Sequence, residues 1–148
     1  EVRLRGAGIA RVDEVVKDAD GNIVELRAWL DPESRPGMEG ANRKVKGTIH
    51  WVSARHAVEA EIRLYDRLFS VADPDDESGG RTYRDHINPE SRRTVRGYVE
   101  PAAAAAAPEQ SFQFERLGYF VADRRDHRAD RPVFNRSVSL RDTWAAKA

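Results

Sequence analysis

The 148 residues suit one domain or two very small ones, and 25 basic side chains balance 25 acidic ones to a formal net charge of zero. No stretch approaches the roughly 18 uncharged apolar residues of a membrane helix, and residues 1–9 lack the apolar core of a signal peptide. The absence of cysteine excludes disulfides, thiol nucleophiles and Cys-ligated zinc, and zero net charge argues against coating a nucleic acid by bulk electrostatics.

Strand signals dominate the chain. It opens on Glu1 with Val2-Arg3-Leu4-Arg5 already strand-like and its only methionine at Met38, so it reads as a piece of a longer protein. Residues 9–17 and 23–30 are β-prone runs flanking Asp18-Ala19-Asp20-Gly21-Asn22, a hairpin signal because Gly takes the positive φ that such a turn needs. Residues 31–42, rich in Pro, Gly and Glu, read as a loop; 46–52 as a strand holding Trp51; 53–57 as a short helical turn. From 59 to 65 polar and apolar residues alternate, with Glu61 and Arg63 on one face and Ile62 and Leu64 on the other. Residues 74–88 read as a loop with one helical turn, and 92–99 as another strand.

Six alanines, 102–107, lie between Pro101 and Pro108; too short for an independent helix, they read as a linker or a single solvent-side turn. Residues 111–123 read as one long aromatic strand with Phe112, Phe114, Tyr119 and Phe120 as core candidates. A charged loop over 124–130, a last strand over 132–140 and a tail holding Trp144 complete the chain. Many short strands separated by turns imply an all-β barrel or sandwich.

Charge is uneven. Residues 1–90 carry 14 basic and 18 acidic side chains, whereas 91–148 carry 11 and 7. Arginine supplies 21 of the basic residues and lysine four, a bias that suits planar recognition of bases and phosphates and that a GC-rich genome also produces. The run Asp73-Pro74-Asp75-Asp76-Glu77 lacks the ligand pattern of a calcium loop and reads as a solvated loop. The glycines at 37, 40 and 47 do not form a P-loop, and no nucleophile elbow is present. His50, His56, His86 and His127 are scattered and read as structural or surface residues; no catalytic or metal-ligating set emerges.

Two patterns carry chemistry. Arg3 and Arg5, two apart in a strand, project from one face, where paired forks suit base edges; a solvated strand face has the same pattern. In Phe112-Gln113-Phe114-Glu115-Arg116 the two rings share a face and Gln113 lies on the other. Single-stranded bases are read by amide and guanidinium groups beside aromatic platforms, although an ordinary barrel strand shows the same alternation.

Longer blocks are more specific. Residues 44–53 (KVKGTIHWVS), 61–69 (EIRLYDRLF), 87–91 (INPES), 112–120 (FQFERLGYF), 132–136 (PVFNR) and 140–144 (LRDTW) closely resemble the C-terminal region of bacterial glutaminyl-tRNA synthetases, in order and spacing along nearly the whole chain. The resemblance implies two small tandem β-barrels similar to a ribosomal protein that binds 5S rRNA. One would span 1–43 plus 132–148, lacking its opening strands upstream of Glu1, and the other 44–131. It further implies a cytoplasmic, monomeric enzyme that charges tRNA(Gln) with glutamine, using ATP and magnesium in a catalytic domain outside this chain, with no DNA or membrane partner.

Carried over by motif, Arg3 and Arg5 match arginines that contact the first anticodon base, and Gln113 and Arg116 match the pair that reads the central base. Strict alternation would put Gln113 and Arg116 on opposite faces, so a bulge or strand end near Gly118 is required. Lys44, Lys46 and Arg141 are phosphate-contact candidates on charge. The alternatives are the barrel region of an archaeal or eukaryotic-type glutamyl-tRNA synthetase, a free-standing ribosomal-type RNA-binding protein, and a structural domain that communicates with an active site without reading bases.

Overall fold

A computed structural model describes residues 1–76 and 79–140. The chain packs as two units, Glu1–Trp51 and Val52–Ala148, and both are all-β, built on one sheet each.

In the first unit β1 (Val2–Leu4), β2 (Gly8–Lys17), β3 (Ile23–Asp31) and β4 (Thr48–Ile49) form a sheet in the order β3-β2-β1-β4. The β2–β3 hairpin closes where Asp-Gly predicted it. Gly21 adopts φ +85°, and the Asp18 carboxylate accepts from the backbone N–H groups of Asp20 and Asn22 at 3.0 and 2.8 Å. The Asn22 side-chain amide and the Asn22 N–H, above all, hold the Asp18 carboxyl below its usual range. The hairpin is two-faced, because cross-strand partners share a face. Val12, Val15, Leu26 and Leu30 line one side, all exposed; on the other, Arg27 pairs with Glu14 and Glu25, and the Arg11 guanidinium lies over the Trp29 ring.

The Pro- and Gly-rich stretch after β3 is more ordered than a bare loop. It folds into two 3-10 turns, Pro32–Ser34 and Glu39–Asn42. Ser34 is fully buried; its hydroxyl accepts from Ile9 N–H at 2.7 Å and donates to Asp31 C=O at 2.7 Å, tying the turn to the start of β2. The expected strand over 46–52 shortens to β4, and Trp51 instead donates its indole N–H to Arg5 C=O at 3.0 Å.

In the second unit β5 (Val58–Tyr65), β6 (Arg92–Val99), β7 (Ser111–Phe114), β8 (Gly118–Ala122) and β9 (Val133–Ser139) are ordered β6-β5-β9-β8-β7. Alternation along β5 is as expected, with Ala60 and Ile62 buried. Residues 53–57 form the expected turn, and Tyr83–His86 the expected helical turn within the 74–88 loop. Among the described residues no ladder joins edge strand β6 to β7, so the unit is a five-stranded sheet wrapped on a core rather than a barrel closed by hydrogen bonds.

Three expectations are corrected. The strand at 133–139, expected to rejoin the first barrel, lies between β5 and β8 of the second sheet: Val133 and Phe134 are completely buried there, and Phe134 packs against Phe112 and Phe114. The aromatic stretch 111–123 is a hairpin, not one strand, because it turns at 115–117. The alanine run is not wholly solvent-side. Pro101–Ala104 forms one helical turn, and Ala104 is buried in the core cluster with Ala60, Val99 and Phe134, while Ala102, Ala105 and Ala107 are exposed.

Ser34→Ala is expected to leave Ile9 N–H and one lone pair of Asp31 C=O unpaired in a buried site, lowering the unfolding free energy of the first unit by about 1–3 kcal/mol. Urea unfolding of the two proteins side by side measures it.

Candidate nucleic-acid interface

The residues that carry base-reading chemistry fall into two groups, one per unit. In the first, β1 runs antiparallel to β2 and parallel to β4; Arg3 N–H donates to Gly47 C=O at 2.9 Å and Arg5 N–H to Ile49 C=O at 3.0 Å. Arg5 stands just past the end of β1 and is exposed. Arg3 is half-buried, and its guanidinium donates to Arg43 C=O at 2.6 Å. The two forks expected to act alike therefore differ. Arg3 is anchored on the chain and lines a cavity of about 470 Å³ with Leu4, Gly8, Ser34, Met38 and Ala41, whereas Arg5 stands outside it.

Arg43 sits among these groups without having been singled out from sequence. Its guanidinium pairs with Asp31 at 3.0 Å and Glu1 at 3.3 Å, partners 12 and 42 residues distant in the chain, so no local pattern announces it. Lys44 and Lys46 are exposed and line an open cleft with Glu1 and Val45. Arg141 lies outside the described residues, as do Glu77 of the acidic run and Trp144 of the tail.

The second group sits on the β7–β8 hairpin. Gln113 is exposed on β7, and Phe114 C=O accepts from Leu117 N–H at 2.9 Å across the turn. Arg116, exposed, has φ +64° at the third position of that turn, where type II geometry demands a positive φ that glycine adopts without strain. A non-glycine residue held there costs on the order of 1 kcal/mol or more. Gly118 follows at φ +147°; a Cβ at that position would stand 2.5 Å from Val138 C=O, so the hairpin seats directly on β9. β7 ends at Phe114, so the strand end expected near Gly118 is present, and Gln113 and Arg116 occupy one hairpin.

Of the four aromatic core candidates on this hairpin, Phe112, Phe114 and Phe120 face inward as expected and Tyr119 does not. Phe112 and Phe114 turn inward: Phe114 stacks on Phe120 with centroids 4.4 Å apart and meets Phe134 edge-on at 5.2 Å. Tyr119, expected in the core, is 46% exposed and pairs directly with Gln113 across the hairpin. Its aromatic character suggests the core, but alternation from Phe112 and Phe114 through to Phe120 places residue 119 on the face of Gln113.

The hairpin is braced by an ionic network at the end of β8. Arg63 on β5 donates to Glu61 at 2.6 Å, Asp126 at 2.6 Å and Asp123 at 3.1 Å. Asp123 also accepts from the Asn135 side-chain amide at 2.7 Å and from the N–H groups of Arg125 and Asp126, and Tyr65 donates to Asn135 at 3.1 Å. Burial alone would raise the Asp123 carboxyl; the Asn135 amide, the two N–H donors and the Arg63 charge overcome it and hold the group at about 2. Burial alone would lower Arg63; its hydrogen bonds to Asp126 and Glu61 and the charges of Glu61 and Asp123 raise it instead.

Because the folded-state value lies below the ordinary 3.8, this network stabilises the fold fully above about pH 4–5 and loses that contribution as the pH falls toward 2. Asp123→Asn is expected to lower the unfolding free energy at pH 7 by roughly 2 kcal/mol and to flatten its decline between pH 5 and 2. Chemical denaturation across that range measures both effects.

Comparison with known proteins bears on this surface. Residues 48–123, which contain Gln113, Arg116 and Tyr119, match the family model described as the anti-codon binding domain of class I tRNA synthetases (E and Q). The chain is 85% identical over 145 residues to a protein named glutamine–tRNA ligase from Xanthomonas euvesicatoria pv. vesicatoria (strain 85-10), covering 98% of this chain and 25% of that protein. It is 75% identical over 144 residues to a protein of the same name from Xylella fastidiosa (strain M12), covering 97% of this chain and 25% of that protein. The chain thus spans about a quarter of the length of these relatives. With a family model matching more than half of its residues, the chain belongs to the class I tRNA synthetase (E and Q) anticodon-binding domain family.

Proposed function

We propose that this chain is the anticodon-reading part of a cytoplasmic, monomeric glutamine–tRNA ligase and that its partner is tRNA(Gln). The observation that carries the reading is the β7–β8 hairpin. It lies within the matched family segment, carries Gln113 exposed on β7, and holds Arg116 at a positive φ in the turn that follows. Splayed bases offer their Watson–Crick edges, and an amide and a guanidinium fork match those edges.

Gln113 and Arg116 take the central anticodon base, and Arg3 and Arg5 the first. Arg3 anchored on Arg43 C=O would recognise by position rather than by movement. Lys44 and Lys46, exposed at the cleft by Glu1, contribute phosphate attraction. ATP and magnesium chemistry is assigned to the part of the ligase outside this chain, and the relatives' common name supports glutamine over glutamate as the amino acid.

Titration of the chain with a 17-nucleotide tRNA(Gln) anticodon stem-loop, and with one whose central anticodon base is changed, tests this. The expected result is salt-sensitive binding that prefers the glutamine anticodon. Gln113→Ala is expected to erase about tenfold of the preference at the central base while leaving salt dependence unchanged. Equal affinity for every anticodon would overturn the proposal.

A further inference from the structure

The hairpin that carries Gln113 also carries a residue to which no part has been given. Gln113 and Tyr119 are direct partners in the β7–β8 ladder, so their side chains leave the sheet on the same face, with Cβ atoms about 5 Å apart. On the far side of Tyr119 its partner in β9 is Val138, and both are about half exposed. An amide, a phenol ring and an aliphatic side chain therefore form one row across three strands, on the face opposite the buried Phe120 and Ala122.

The backbone that carries the ring is fixed from behind. Gly118 lets the β8 backbone approach Val138 C=O, and the Ser137 hydroxyl donates to Tyr119 C=O at 3.2 Å. A stacking surface gains from such support, because a ring mounted on a fixed strand, with only two side-chain torsions, loses little freedom when a base lands on it. The other aromatic side chains of this sheet are placed differently. Phe112, Phe114, Phe120 and Phe134 form the core. Tyr98 pairs with Glu59 at the β5–β6 edge, and Tyr65 is hydrogen-bonded to Asn135.

We propose that Tyr119 is the stacking platform for the unstacked base whose edge Gln113 reads, so that one cross-strand pair supplies both the π-face and the hydrogen bonds. The proposal rests on the reading that this hairpin binds anticodon bases and names the residue that holds the base flat. An amide alone leaves a splayed base free to rotate, whereas a ring adjacent to the amide fixes the plane in which its edge is presented. The occupant is a single-stranded nucleobase, and the contact is indifferent to which base it is; discrimination stays with Gln113.

The test uses the whole chain and the tRNA(Gln) anticodon stem-loop. Tyr119→Phe and Tyr119→Trp keep a π-face and are expected to bind within about twofold of the unaltered chain. Tyr119→Leu keeps bulk without the face and is expected to bind roughly 5- to 100-fold more weakly to all anticodons alike. In parallel, a stem-loop carrying 5-iodouracil at the central position keeps the uracil edge and, on irradiation, is expected to cross-link to the peptide containing Tyr119; this readout does not depend on the folding of any variant. Leu binding as tightly as Tyr, Phe losing as much as Leu, or cross-links confined to other peptides would each overturn the assignment. Should the unaltered chain discriminate anticodons while Tyr119→Leu binds normally, the platform alone fails. Should the unaltered chain not discriminate, the anticodon reading fails with it.

Discussion

Phe134 is the contact on which the second unit depends. It is wholly buried on the central strand of a five-stranded sheet, with Phe112, Phe114 and His127 around it at centroid distances of 5.9, 5.2 and 5.0 Å. A buried phenylalanine of this kind contributes about 3–5 kcal/mol against truncation to alanine, and here the same ring holds three separate segments together. His127 completes the arrangement by accepting from Val133 N–H at its Nδ1, which turns the charged loop after β8 back onto β9. With β9 in place, β8 is registered against it, and β7 against β8.

That order of dependence explains how an exposed hairpin becomes a precise surface. Strand side chains alternate, so burying Phe112, Phe114 and Phe120 on one face sends Gln113 and Tyr119 to the other without further specification. Which side chains pack inside and which are presented outside is one geometric decision. The strained turn at Arg116 and the close seat of Gly118 on Val138 C=O then set where the guanidinium leaves the hairpin. Below them the Arg63–Asp123–Asn135 network fixes the strand ends in a largely dry setting. Its charges are worth more there than the surface pairs of Arg11 or Arg96, whose side chains are more than half exposed.

What the sequence disclosed and what it withheld divide by range. The Asp18–Asn22 turn and the Glu61–Leu64 alternation are local, and they stand in the structure as read. The turn at 115–117 has no local signature, because its positive-φ position is occupied by arginine rather than by the glycine or asparagine that marks such turns; only the need to relate Gln113 to Arg116 hints at a strand end there. The place of the last strand is non-local. Val133 and Phe134 are equally apolar whichever sheet receives them, and only the aromatic partners around them decide. The two site pairs were legible chiefly through resemblance; the outward ring beside Gln113 needed the cross-strand register.

A zero net charge first argued against a nucleic-acid partner, and the fold shows why that sum says little. Arg11, Arg27, Arg43, Arg63 and Arg96 are held by carboxylates of their own unit, so the arginine count overstates the positive field available to phosphates. Among the side chains exposed on the β7–β8 hairpin are an amide, a fork and a ring rather than a basic stripe. Phosphate contacts bind every sequence alike, and their strength falls with salt; edge contacts and stacking do neither in the same degree. What the hairpin can offer a partner is therefore set by which side chains the sheet leaves outside and unpaired with a neighbouring carboxylate, not by the sum of charges along the chain.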